Sequence, residues 1–333
     1  MHAFTLERPR DVSTALAFGT ADGGRRTHYI AGGTDMLQLL KEDVLQADQV
    51  VALGPRVLDD RVEIAGDGGL RVGASARMSD VADHAGVRAA FPLLAEALLA
   101  GASPQVRNMA TVGGNLLQRT RCSYFRDTDV AACNKRSPGS GCAALLGENR
   151  MHAVLGGSPH CIATHASDFA VALVALDASV RLRGRDGERV IAVDDLHRVP
   201  GDTPHVETVM TPGELITAIE VPAAPALAAR STYLKIRDRA SFEFALISAA
   251  VALDADGDRI RSARVAMGGV GTKPWRMRAV EDALAGTRRE RVAYEAAAAR
   301  ATEGAIPRAH NGFKLELMRR TLVRALETVG GRA

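Results

Sequence analysis

Two glycine pairs, each preceded by apolar residues and followed by polar ones, constrain this chain more than any other feature. Tyr29-Ile30-Ala31-Gly32-Gly33-Thr34-Asp35-Met36-Leu37 reads as a strand, a glycine pair, a hydroxyl and a carboxylate, then a helix. Ala110-Thr111-Val112-Gly113-Gly114-Asn115-Leu116 repeats the theme. A phosphate needs backbone N–H donors and a turn with no side chain in its way, which glycine supplies by adopting positive φ and exposing the backbone. A helix start behind the turn adds favourable partial charge. One such pair alone reads as an ordinary tight turn. Two together favour a diphosphate ligand. Neither the G-x-G-x-x-G fingerprint nor the P-loop G-x-x-x-x-G-K-[ST] occurs, which argues against a doubly wound nucleotide fold.

The rest of the composition narrows the class. With 333 residues, 47% of them hydrophobic and 24% charged, the chain can bury a sizeable core and has length for two or three domains. Forty-two basic residues against thirty-nine acidic ones, a net charge of +3, argue against a dedicated nucleic-acid binder. No apolar stretch reaches membrane-span length. Met1 to Asp11 carries Glu7, Arg8, Arg10 and Asp11 and no apolar signal region. The expectation is therefore a protein folded in the cytoplasm, which could leave only as the passenger of a signal-bearing partner.

Along the chain, residues 1–55 read as a small α/β unit. It comprises a helix from Asp11 to Gly19, a turn at Ala21-Asp22-Gly23-Gly24, strands at Thr27–Ala31 and Gln49–Leu53, and a helix at Met36–Lys41. Gly54-Pro55 punctuates it. Val62–Ile64 and Leu70–Val72 flank Gly66-Asp67-Gly68-Gly69, a hairpin signal. A helical stretch from Ser79 to Leu99, broken at Pro92, precedes the second glycine pair. Strands are expected at Phe169–Leu176, Ser179–Arg183 and Leu215–Val221, closing a second unit at 56–224. Pro222 to Pro225 reads as a linker into an α+β domain at 225–333. That domain has strands at Ser231–Arg237, Ala245–Leu253 and Ile260–Met267, then helices between Trp275 and Glu327. In the last helix Phe313, Leu317, Arg320 and Leu322 or Val323 mark the amphipathic pattern. Trp275 reads as core or interface.

The four cysteines are clustered rather than scattered: Cys122, Cys133, Cys142 and Cys161, on an irregular segment at about 119–163. A long structureless loop inside a compact domain is usually functional. The spacing leaves disulfides, structural zinc and an iron–sulfur cluster open, because it meets none of their short templates. His152, His160 and His165 could complete a zinc site, although exposed loop histidines are the blander reading.

The combined motifs resemble a known family. Ala31 to Asp35, Ser103-Pro104-Gln105-Val106-Arg107-Asn108 running into Ala110 to Asn115, and Ser167-Asp168 are similar to the FAD-binding subunit of molybdenum hydroxylases. This is the xanthine dehydrogenase and aldehyde oxidoreductase family. Thr211 to Ile216, Lys235 to Ser241 and Met267 to Gly271 extend the resemblance over nearly the whole chain. Most members lack the cysteine segment. Arg121-Cys122, Cys133 to Arg136, Gly141 to Ala144 and His160 to His165 make this chain similar to the [4Fe-4S]-containing flavin subunits of periplasmic aldehyde oxidoreductase. They make it similar, more distantly, to that of 4-hydroxybenzoyl-CoA reductase.

The resemblance implies an α+β protein: a two-subdomain FAD-binding fold of the vanillyl-alcohol-oxidase and xanthine-dehydrogenase type, plus the C-terminal domain. It implies that Tyr29, Ile30, Ala31, Gly32, Gly33, Thr34 and Asp35 wrap the FAD pyrophosphate and that Thr111, Gly114, Asn115 and Leu117 close the other side. Ser167 and Asp168 would reach the ribose or ribityl hydroxyls, and Leu215 and Lys235 would lie near the cofactor. Without the resemblance, Asp168 reads as a helix N-cap and Lys235 as a solvated charge. It implies a [4Fe-4S] cluster on Cys122, Cys133, Cys142 and Cys161. The implied partners are a molybdopterin-binding large subunit, a [2Fe-2S] small subunit and an external electron acceptor, with electrons passing from [2Fe-2S] centres through FAD. No catalytic acid–base or nucleophile set is expected in this chain. Alternatives are a stand-alone FAD oxidoreductase of the related fold and a zinc-stabilised binding module.

Overall fold

A computed structural model describes residues 1–19 and 24–331. The turn expected at Ala21-Asp22-Gly23-Gly24 lies largely outside the described residues. Thr5–Glu7, Gln49–Ala52 and Thr27–Ile30 form a parallel three-stranded sheet with Gln49–Ala52 in the middle. Parallel neighbours need crossover connections. The helices Val12–Gly19 and Met36–Lys41 provide them, burying Ala15, Leu16, Leu39 and Leu40.

The second sheet is antiparallel, in the order Val62–Ile64, Leu70–Gly73, Leu215–Val221, Ser179–Gly184, Gly187–Ala192. Its strands come from both ends of the middle region, so the helices and the cysteine segment are one long excursion between them. The expected helix at 79–99 is three short ones, Met78–Asp83, Ala85–Ala90 and Pro92–Ala100. His84 and Phe91 interrupt it with non-helical backbone, and Pro92 takes the first position of the last piece, where its missing N–H costs nothing. The edge strand Gly187–Ala192 was not foreseen: its side chains are mostly exposed and lack apolar alternation.

One expectation is reversed. The apolar run at 169–176 is the helix Asp168–Ala175, not a strand, and all eight of its residues are buried. A helix buried on every side has no polar stripe, so its sequence cannot be told from a buried strand by periodicity. Ser167 starts it, its hydroxyl accepting from the Ala170 amide at 3.0 Å.

The third sheet runs Trp275–Arg276, Arg259–Gly268, Ile247–Asp256, Ser231–Ile236, all antiparallel. It is buried on both faces. Ala250, Ala252 and Ala266 pack toward the buried helix and the second sheet. Ala249, Val251, Leu253, Val265 and Met267 pack under the helices Arg278–Leu284, Arg291–Ala299 and Phe313–Gly330. In the last helix the buried stripe is Lys314, Met318, Thr321, Leu322, Ala325, Leu326 and Val329, one step round from the expected one. Phe313 is exposed, and the Arg150 guanidinium lies 5.3 Å from its ring centre. Trp275 packs against this second core.

Candidate functional site

Between the parallel sheet, the second glycine pair and the third sheet lies a cavity of about 610 Å³. Tyr29 to Asp35, Thr111, Gly114, Asn115, Leu117, Asp168, Leu215 and Lys235 all line it. Ser167 does not. Its hydroxyl caps the buried helix and donates to Asn115 Oδ1 at 2.5 Å, so it holds a wall residue from behind.

The two glycine pairs play different parts. In the first, Gly33 has φ +72°, and a Cβ on Gly32 would lie 2.0 Å from the Met109 carbonyl oxygen. Among the described residues no acceptor meets the backbone amides of Gly32, Gly33 or Thr34, so these three residues of the cavity wall carry free donors. The second pair sits inside the short helix Val112–Leu116, without positive φ. Its amides are already used, Gly113 N–H by the Ala74 carbonyl at 3.0 Å and Gly114 N–H by Thr111 Oγ1 at 3.2 Å. A Cβ on Gly113 would meet Ala74 Cβ at 2.9 Å. The expected repeat of strand, turn and helix is therefore a close-packing device at this position.

Several polar side chains of the cavity are committed to the fold. The Tyr29 hydroxyl lies 3.1 Å from the Gly213 carbonyl and 3.2 Å from that of Ala15, and burial pushes its pKa up to about 12. Asn115 Nδ2 donates to Met78 Sδ at 3.3 Å. The Asp35 carboxylate is met by the Arg119 amide at 2.8 Å, by Arg126 at 2.7 Å and by Arg121. Asp35 therefore ties the first turn to the start of the cysteine segment.

On the opposite wall Lys235 Nζ donates to Asp168 Oδ2 at 2.7 Å, with both side chains at most 9% exposed. The Tyr233 hydroxyl donates to Asp168 Oδ1 at 2.6 Å and lies 2.8 Å from Ser248 Oγ. Burial, reinforced by the Asp168 carboxylate, raises the Tyr233 pKa well above its usual value and keeps it a donor. Asp168 is the first helical residue rather than the cap, and Lys235 is a buried partner rather than a solvated charge. Arg119, Arg121, Tyr233 and Arg239 escaped the reading of the sequence. A cluster of arginines directly after the second glycine pair was the available signal.

The cysteine segment is ordered with little regular structure. Arg136 donates to the carbonyls of Tyr124 at 2.8 Å and Phe125 at 2.9 Å, and Asn134 Nδ2 to that of His160 at 3.1 Å. Cys133 and Cys142 face each other across an antiparallel bridge. All four cysteines are free thiols, and all four line one small pocket with Phe125, Asn134 and Lys135. Among the described residues no three His, Cys, Asp or Glu side chains come together to hold a single metal ion. His152 is buried and points at Cys122, His165 is paired with His197, and His160 is at the surface.

Residues 2–224 match the family of the FAD binding domain in molybdopterin dehydrogenase, and residues 232–329 match the CO dehydrogenase flavoprotein C-terminal domain. The chain belongs to this family of FAD-binding subunits of molybdenum hydroxylases. It is 46% identical to the aldehyde oxidoreductase FAD-binding subunit PaoB of Escherichia coli K12, over 98% of each chain. It is 28% identical to the glyceraldehyde dehydrogenase medium chain of Sulfolobus acidocaldarius, over 85% of this chain and 81% of that one. A crystal structure of the Cu,Mo-CO dehydrogenase shares the fold, with a TM-score of 0.76 at 23% identity, covering 99% of this chain and 98% of that one. No helix among the described residues is long and apolar enough to cross a membrane.

Proposed function

We propose that this chain is the flavin subunit of a heteromeric molybdenum hydroxylase acting on aldehydes, with FAD in the large cavity. The observation that carries this is the single cavity that collects the glycine-turn, Asp168, Leu215 and Lys235 positions in a chain so similar, end to end, to an aldehyde oxidoreductase subunit. Residues 1–55, 56–224 and 225–333 are read as its two FAD-binding subdomains and its C-terminal domain. The free amides of Gly32, Gly33 and Thr34 would hold the pyrophosphate, with Arg119, Arg121 and Arg239, each ion-paired to a carboxylate, at the same cavity. Leu117 and Leu215 would give apolar contact, and the Lys235–Asp168 pair would present fixed hydrogen-bonding atoms to the cofactor. FAD supplies a centre that can exchange electrons singly or in pairs. The protein contributes position and charge. Its partners in this reading are a molybdopterin-binding subunit, a [2Fe-2S] subunit and an external acceptor, and the complex works in the cytoplasm or, exported with a signal-bearing partner, in the periplasm.

The second part of the reading is a [4Fe-4S] cluster on Cys122, Cys133, Cys142 and Cys161. Four free thiols around one pocket are the donor set that a [4Fe-4S] cluster takes. The test is a visible spectrum of the purified protein with flavin, iron, acid-labile sulfide and zinc quantified. Flavin with about four irons and four sulfides per chain supports both parts. Stoichiometric zinc without sulfide overturns the cluster, and a colourless protein overturns the whole reading. Purification without a molybdopterin subunit, together with turnover by this chain alone, favours the stand-alone oxidoreductase.

A further inference from the structure

We infer that His152 tunes the proposed cluster by donating a hydrogen bond from Nε2 to the Cys122 sulfur. This inference rests on the cluster reading above. The two atoms are 3.1 Å apart. Among the described residues only two N–H groups reach a cysteine sulfur, His152 Nε2 and the Ala163 amide, the latter 3.5 Å from Cys161 Sγ. His152 is the only side chain that does so. A thiolate ligand has no proton to give, so the contact requires the N–H on Nε2. His152 Nδ1, buried and without a partner, is then the bare ring nitrogen.

The backbone of His152 is held in place. Its carbonyl accepts from Lys314 Nζ at 3.0 Å and from Asn311 Nδ2 at 3.2 Å, and Lys314 also reaches the carbonyls of Met151 and Gly269. Lys314 and Asn311 are fully buried and belong to the C-terminal domain. The Lys314 amine, set among three carbonyls, clasps the backbone from which the imidazole reaches the sulfur. An N–H···S bond withdraws negative charge from the ligand and stabilises the more negative, reduced cluster, which raises its reduction potential. His152 is thus a positioning residue that acts through Cys122.

The experiment compares wild type with His152→Gln, whose amide nitrogen stands where Nε2 stood, and His152→Asn, whose amide reaches only the Nδ1 position. Iron, sulfide and FAD are quantified on each, and the cluster potential is read by EPR-monitored redox titration. The expected result is full iron content in all three and a more negative potential in His152→Asn. That shift should be about 59 mV, a tenfold change in a one-electron equilibrium, and His152→Gln should recover most of it. Equal potentials in wild type and His152→Asn overturn the inference, as does a Gln variant no nearer wild type than Asn. Loss of iron from both variants with FAD retained makes His152 a loop brace only and also overturns it. A wild-type protein without iron and sulfide fails the cluster reading itself, and the inference with it.

Discussion

Arg126 donates to the Asp35 carboxylate at 2.7 Å across ninety-one residues of chain. This contact joins the turn whose amides are free with the first helix of the cysteine segment. Arg126 also donates to the Thr120 carbonyl at 3.0 Å, so one guanidinium grips both the turn and its own segment. Removing the carboxylate leaves Arg121 and Arg126 partly buried without their partner. Asp35→Ala is expected to cost about 1–3 kcal/mol, below the full penalty of a deeply buried pair because these groups keep some solvent. Urea unfolding measures that loss, and limited proteolysis should show faster cleavage within 119–163. Unchanged stability and cleavage would show that the segment holds itself.

The glycine pairs predict a graded series. Gly32→Ala drives a methyl into the Met109 carbonyl and must move backbone on one side of the cavity. Gly114→Ala meets the Thr111 hydroxyl at 3.0 Å and Ala31 Cβ at an ordinary contact distance of 3.9 Å. We expect Gly32→Ala to purify with little flavin and to lose about 1–3 kcal/mol of stability. Gly114→Ala should keep most of its flavin. Absorbance stoichiometry after desalting decides, and equal flavin content in the two would sink the assignment of the first turn.

Lys235 and Asp168 predict strong coupling. Each single change, Lys235→Met or Asp168→Asn, strands a buried polar partner and should cost about 3–5 kcal/mol. The double variant should be more stable than the sum of the two single losses implies. A denaturation double-mutant cycle gives the coupling directly, and additive losses would refute it.

Acid sensitivity should come from His165 and His197, whose Nε2 atoms lie 3.1 Å apart. Burial lowers His165 well below its ordinary 6.5, with the neighbouring His197 adding to it. Burial also lowers His197, partly offset by its bond to the Leu116 carbonyl at 2.8 Å. Folded pKa values below the unfolded one mean that the unfolded chain binds more protons in the window between them. Their contribution is therefore complete above pH 6.5 and declines as pH falls below it, by about 1.4 kcal/mol per pH unit for each histidine. Tm should fall as pH is lowered from 6.5 to 5, with a shallower fall in His165→Asn. An unaltered slope in that variant would assign the acid response to other groups.

Local chemistry made some of this legible in advance. The helix Met36–Lys41 and the strand beginning at Thr27 follow from a glycine turn between short apolar runs, and such signals are contiguous in sequence. Resemblance alone assigns Asp168 and Lys235 to one site and does not indicate their ion pair, because the partners stand sixty-seven residues apart and each alone reads as an ordinary cap or surface charge. Arg126 at Asp35 and Lys314 under His152 left no trace, since nothing local distinguishes an arginine or lysine whose acceptor lies far away along the chain.

The sequence by itself determined two glycine pairs behind apolar runs, four clustered thiols and a chain of alternating sheet and helix. These depend on residue type and short spacing. Only the tertiary structure decided which glycine pair keeps its amides free. Both pairs follow apolar residues, and the difference arises because the fold brings the Ala74 carbonyl against Gly113 while, among the described residues, nothing accepts from the first pair.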